Sequence, residues 1–303
     1  MLKKYLVIFL FPILSCTKVL DISPQYETPQ PIGNAIFTTT HQIDFYMAES
    51  NSILDTGIVW ISDAQVELYE DGVYKENLYH LQNEAGHYIS ALYPVPDKTY
   101  EIKAKNQKYE ISASNIIPEP GQLLSYKYTI PAGFNLDGSP YYEAEIKFKD
   151  NAETSDYYEI SIYNKFDANL KGYIKSFNTN DQVIVNEGDM DYNPETLFFS
   201  DELFNGQTYK LKFKFNEGYA PSGNGHYQES VSTYMAFRSV SKEYYLYRKS
   251  WTRHRYFQNN VDQGIYTLFK GDPVEMYTNI NNGYGIFAGY NQQDVKLVFV
   301  PQK

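Results

Sequence analysis

Residues 100–113 read YEIKAKNQKYEISA. Tyr100, Ile102 and Ala104 alternate with Glu101, Lys103 and Lys105, and Tyr109, Ile111 and Ala113 repeat the pattern. A period of two puts the apolar set on one face of a pleated strand and the polar set on the other. Two such runs about a short polar turn predict an antiparallel pair with one dry face, which another layer must cover. The neighbouring sequence agrees. Val66-Glu67-Leu68-Tyr69 alternates and leads into Asp71-Gly72, which has hairpin-turn chemistry. Leu78 to Leu81 runs to a turn at Asn83–Gly86, and His87-Tyr88-Ile89 to a proline-bearing turn at Pro94–Asp97. Strands spaced by about 8 to 12 residues with turn residues between them indicate a small antiparallel sandwich over residues 32–118.

The order of a Gly-x-Tyr turn followed by x-Tyr-x-Ile-x-Ala resembles the Ig-like, transthyretin-like (carboxypeptidase-regulatory-like) sandwich class. Pro118-Glu119-Pro120-Gly121 marks the boundary to a second β-rich domain, residues 119–303. There Leu123–Ile130 and Tyr141–Phe148 read as strands around the turn Asn135–Gly138. Tyr157–Tyr163, Gly172–Phe177, Val183–Val185 and Tyr209–Phe215 also alternate, and Val295–Val300 reads as a closing strand. Two helices interrupt this second sandwich. The first lies near 200–206, with Ser200 as N-cap, Asp201 and Glu202 in the first turn and Gly206 closing it. The second spans about 241–258. In it Tyr244, Tyr247, Trp251 and His254 share one face, with Glu243 near the start and Arg248, Lys249, Arg253 and Arg255 toward the end, as the helix dipole favours. The expected fold is mostly β, two sandwiches with one or two helices.

The N-terminus carries a different signal. Lys3 and Lys4 precede an apolar run from Tyr5 to Leu14, about half the ~20 residues that span a bilayer. Ile13-Leu14-Ser15-Cys16 then reads as a lipobox, so residues 1–15 are expected to be a removable lipoprotein signal peptide. Cys16 is the sole cysteine. Its acylation would hold the protein on a membrane through two or more chains and leave no thiol for disulfide, metal or nucleophilic chemistry. Residues 16–31, with Pro24, Pro29 and Pro31, read as the lipidated tether.

The formal charge is −11, and loss of Lys3 and Lys4 with the signal makes it more negative. Such a surface repels phosphate backbones, so no nucleic-acid partner is expected. It does not help binding to anionic headgroups either, leaving attachment to the lipid. The 31 tyrosines and 18 phenylalanines favour strands and are expected mainly to pave sheet faces. Exposed ones would offer a surface for sugars or peptides.

Three further segments carry a resemblance: Phe199-Ser200-Asp201-Glu202-Leu203-Phe204-Asn205-Gly206-Gln207-Thr208-Tyr209, Val240 to Tyr247, and Gly271 to Gly289. With the lipobox and Ala64-Gln65-Val66-Glu67-Leu68, they resemble the Bacteroidota outer-membrane lipoproteins classed as domain of unknown function 4249, over nearly all of the mature chain. The resemblance implies an outer-membrane lipoprotein of two β domains, often encoded beside TonB-dependent transporters, in either the periplasmic or the cell-surface leaflet. It brings no catalytic residues. Tyr284 departs from the aliphatic residue more frequent there.

Candidate chemistry is sparse. The five histidines form no H-x-x-x-H or H-x-H pair, and no G-x-S-x-G is present. No cofactor is expected. Asp189, Asp191, Asn193 and Glu195, near Glu187, alternate like a calcium loop, but the turn glycine is missing and Pro194 intrudes, so a surface acidic loop is the expectation. The most functional-looking stretch is YYLYRKSWTRHRYF, residues 244–257, a basic aromatic island. Tyr244, Tyr247, Trp251, Arg253 and Arg255 are the candidate ligand or partner surface, since rings beside guanidinium groups stack on sugars and hold carboxylates. The competing expectation is a helix packing its rings on the sheet with its cations in water. The function expected is a non-enzymatic, membrane-attached accessory or ligand-capture protein of a TonB-dependent barrel. The alternatives are a surface carbohydrate- or peptide-binding protein or hydrolase, and an adhesive surface lipoprotein.

Overall fold

The alternating pair forms the strands its pattern demands. In a computed structural model of the chain, Tyr100, Ile102 and Ala104 are buried opposite buried Ile111 and Ala113. The structure describes residues 28–52, 57–165, 171–173, 177–188, 196–216, 232–259 and 275–297. The strands of the first half are β1 (Pro31–Phe37), β2 (Asp44–Glu49), β3 (Val59–Trp60), β4 (Gln65–Glu70), β5 (Val73–Asn77), β6 (Tyr79–His80), β7 (His87–Ile89), β8 (Thr99–Lys105) and β9 (Glu110–Ile116). Those of the second half are β10 (Gln122–Phe134), β11 (Pro140–Lys149), β12 (Tyr157–Lys165), β13 (Lys171–Tyr173), β14 (Phe177–Asn178), β15 (Leu197–Ser200), β16 (Thr208–Asn216), β17 (Ser232–Val240) and β18 (Tyr284–Lys296). The helices are α1 (Gln182–Asn186) and α2 (Lys242–Asn259). Asp71 and Gly72 both have positive φ, 51° and 76°, the primed turn their sequence favours.

The protein is mostly β, with mixed sheets packed as sandwiches. A ten-stranded sheet runs β13-β12-β17-β18-β1-β2-β7-β6, with β15 beside β12 and β3 beside β2. Two four-stranded sheets, β5-β4-β8-β9 and β10-β11-β16-β14, cover one of its faces side by side. Phe37, Phe45, Tyr88 and Phe287 of the large sheet meet Leu68, Tyr100 and Ile102 in one core. Tyr158, Ile160, Phe199 and Phe237 meet Ile146, Phe148, Phe213 and Phe215 in the other. The Pro118–Gly121 break lies between β9 and β10, yet the large sheet continues across both halves. The seam is β18, which pairs antiparallel with β17 and parallel with β1, Gly33 opposite Gly285. The returning chain also puts Ile280 and Phe287 into the first core.

Three expectations are corrected. Residues 200–206 form turns, not a helix, with Phe204 N–H donating to Asp201 O and Gln207 N–H to Phe204 O. Ser200 cannot cap, because it is paired to Tyr157 within β15 and bound to Glu187. Gly206 does close the segment with a φ of 72°. Residues 183–185 are helical rather than extended: the Asp181 side chain caps α1 by accepting from Val183 N–H, and adjacent Val183 and Ile184 are both buried. The closing strand begins at Tyr284, not Val295, and Gly285 and Gly289 lie within it. Residues 298–300 fall outside the described residues.

Candidate functional site

The helix α2 lies on the face of the large sheet opposite the two small sheets. Tyr244 and Tyr245 pack on Phe198, Val240, Ile286 and Ala288. The Ser241 hydroxyl oxygen accepts from Tyr244 N–H at 3.2 Å and so starts the helix. The outward positions of β12 and β17 beneath it are charged. Glu159, only 1% exposed, accepts from Arg238 Nη1 at 2.8 Å and from the Tyr244 hydroxyl at 2.6 Å, and Arg248 Nη2 lies 3.7 Å away. Arg238 is fixed further by Gln292 at 2.6 Å and by the Tyr290 ring. A second anchor is Glu187, which takes Ser200 N–H at 2.8 Å, Lys249 Nζ at 2.7 Å and the Tyr245 hydroxyl. Asn115 joins the start of α2 to β18, donating to Glu243 at 2.6 Å and accepting from Gly289 N–H at 2.8 Å.

These contacts redraw the surface expected from residues 244–257. Tyr244 is buried and Tyr247 half-buried. Trp251 sits between the Arg248 and Arg255 guanidinium groups, 4.7 and 5.1 Å from its ring. Arg253 and Arg255 are exposed, but both are engaged with other groups. Arg248 and Lys249 are ion-paired to buried Glu159 and half-buried Glu187 rather than solvated. The helix is a clamp.

Burial alone would raise the Glu159 carboxyl, but the charges of Arg238 and Arg248, with the hydrogen bonds from Tyr244 and Arg238, outweigh it and hold it below the usual range. Burial likewise opposes, and Lys249, Tyr245 and Ser200 N–H together lower, the Glu187 carboxyl. Stability from these pairs is therefore full above the ordinary glutamate value of 4.5 and is lost as pH falls through the lowered folded-state values. Asp156 and Asp201, raised by burial and by neighbouring acids, oppose this by taking up protons earlier in the folded state. Urea midpoints measured from about pH 7 to about pH 3 are expected to fall on the acid side, less steeply in Glu187→Gln. A flat profile, or one identical in the variant, would contradict the clamp.

The rest of this sheet face is bare among the described residues. Cross-strand register aligns Tyr284, Ile32, Ala48 and Trp60 in one row, Asn34, Tyr46 and His87 in the next, and Ile36, Asp44, Ile89 and Tyr79 in a third. Trp60 is 40%, Tyr284 52% and Tyr79 64% exposed. At the centre Tyr46 stacks on His87, ring centroids 4.2 Å apart, with Trp60 at 6.4 Å. The His87 nitrogens meet Glu84 Oε2 at 2.7 Å and Asp44 Oδ1 at 2.9 Å. Burial, then the charges of Asp44 and Glu84, raises the Tyr46 hydroxyl. Sequence reading passed over this face because neither β1 nor β2 was recognised. The available signal was Phe45-Tyr46, adjacent rings that must point to opposite sides of one strand.

The remaining candidates resolve differently. His80 pairs with Tyr88, whereas His87 is the next residue along the strand, so the two point to opposite faces and cannot share a metal. Asp150, Asp156 and Asp201 bring carboxylate oxygens within 4.8 Å of one another. Their acceptors are already used locally: Asp150 holds the Tyr158 hydroxyl at 2.6 Å and Gly206 N–H at 2.8 Å, and Asp201 holds Asp156 N–H at 2.8 Å. Cys16, and the acidic positions Asp189, Asp191, Asn193 and Glu195, lie outside the described residues. No helix among the described residues is long and apolar enough to cross a membrane.

The family model described as Domain of unknown function (DUF4249) matches residues 21–296. A search of curated proteins found no match. The chain belongs to the DUF4249 family.

Proposed function

We propose that this DUF4249 protein is a lipid-anchored, non-enzymatic outer-membrane protein that captures a ligand for a TonB-dependent transporter, with its bare sheet face as the capture surface. The observation that carries the reading is that face: an aromatic surface with polar tips, built on a rigid sheet. Ligand sites combine apolar area with a few placed polar groups in this way. The lipobox Ile13–Cys16 and the proline-bearing tether after it support the anchor. The non-enzymatic part rests on the sequence, which offers no nucleophile or acid–base motif. The first sandwich is, on this reading, the transthyretin-like module of the protein.

Two measurements test it. Cys16→Ala is expected to move the protein from membrane to soluble fractions and to abolish labelling with a fatty-acid analogue. Retention of both would remove the anchor. A C-terminally tagged chain, purified from gently solubilised outer membranes, is expected to bring down a TonB-dependent barrel in stoichiometric amount. Recovery of the protein alone would remove the transporter role.

A further inference from the structure

Resting on the ligand-capture reading, we propose that the bare face binds a neutral oligosaccharide, laid over Trp60, Tyr46 and Tyr79 with its hydroxyls on Asp44 and Glu84. The rings supply the first half of this chemistry. The C–H bonds on one side of a pyranose are weakly positive, and the face of an indole or phenol ring is negative, so sugars lie flat on them. Among the described residues the Tyr46 and Tyr79 hydroxyls and the Trp60 indole N–H make no hydrogen bond, which leaves each polar tip open to a ligand.

The carboxylates supply the second half. Asp44 and Glu84 each give one oxygen to His87. The other oxygen of each makes no hydrogen bond among the described residues and stands ready to accept a sugar hydroxyl. His87, 6% exposed and pinned from both sides, fixes the direction of these acceptors beneath the Tyr46 ring.

Charge selects against the competitors. No Lys or Arg stands in any of the three rows, so an acidic or phosphorylated ligand finds neither there to pair with and lies beside the carboxylate of Asp44. His87 already engages one oxygen of each acid, which leaves a basic peptide a single oxygen apiece to pair with. A protein partner would bury the free carboxylate oxygens at the centre of its interface, where charge is costly unless paired. Sugar hydroxyls satisfy those oxygens instead. From β18 to β6 the face crosses five strands, about 20 Å, the span of a short oligosaccharide.

The test uses the full chain purified in mild detergent and a panel of neutral gluco-, xylo-, manno- and chito-oligosaccharides, read by calorimetry and tryptophan emission. Because Trp60 and Trp251 are the two tryptophans, the emission change is expected to vanish in Trp60→Phe. Tyr79→Ala removes a ring that is mostly solvent-exposed, and Asp44→Asn alters an acceptor without changing shape. Each is expected to weaken binding about tenfold. Binding to none of the panel, or binding unchanged in both variants, overturns the proposal, as does preference for a basic or acidic peptide. Barrel recovery measured on the same variants separates the two readings. A barrel without glycan binding sinks only the sugar, and glycan binding without a barrel sinks only the transporter role.

Discussion

Gly285→Ala is expected to break the seam between β1 and β18 and to cost about 4 kcal/mol or more. Gly285 has a φ of 111°, in the region that side-chain-bearing residues rarely adopt. A Cβ there would overlap the carbonyl oxygen of Gly33 and approach Asn34 Oδ1 to 2.8 Å. Neither obstacle can yield cheaply. The first is backbone in the paired strand, and the second accepts from Ile286 N–H. Against a typical stability of about 5–15 kcal/mol, such a loss leaves a protein that folds poorly or not at all. Gly72→Ala is the control: its φ is 76°, but a Cβ would meet open space, so only the backbone cost of about 1 kcal/mol applies. Urea denaturation of the two variants beside the parent decides the matter. Equal midpoints for Gly285→Ala and Gly72→Ala would show that the seam is not held as described.

Glu159→Ala is the second large effect, about 3–5 kcal/mol. The carboxylate is sealed beneath α2 with two guanidinium groups and a phenol directed at it. Removing it strands Arg238 away from water without a counter-charge, which costs more than the pair itself contributes. Glu159→Gln keeps an acceptor for the Tyr244 hydroxyl but not the charge, and is expected to fall between Ala and parent. A Glu159→Met, Arg238→Met double variant is expected to recover much of the loss, because two apolar groups leave nothing unpaired. Trp251, riding on α2 between two arginines, gives a local fluorescence report of whether the helix stays down. A loss below about 1 kcal/mol for Glu159→Ala is the value of a solvent-exposed pair and would refute the buried clamp.

What was legible in the sequence was local. The β8–β9 alternation, the Asp71-Gly72 turn and the course of α2 each follow from neighbours within a few residues. What was not legible depends on distant chain. Ser200 to Gly206 has the chemistry of a short helix, but β15 claims Ser200 and Asp156 claims the Asp201 carboxylate. The glycines of β18 look like turn residues until β1 is laid beside them, 252 residues away at Ile286 and Asn34. Glu159 and Arg238 occupy the outward phase of their strands, where water is the ordinary neighbour, and only α2 makes them interior. The bare face was missed for a related reason: Tyr46, Trp60, Tyr79 and His87 come from four separate short strands, and Tyr284 from the distant start of β18.

The parallel joining of β1 to β18 also sets a condition on synthesis. A chain emerges with its N-terminus first, and everything needed for strands β1 to β9 is present early except the neighbour of β1 and two side chains of its core, Ile280 and Phe287. A fragment ending before Tyr284 lacks Phe287 and the neighbour of β1, so that core is closed only when the returning chain arrives. A product cut short of Tyr284 is therefore unfinished in both halves of its large sheet, because β1 and β17 each lack the strand that lies between them.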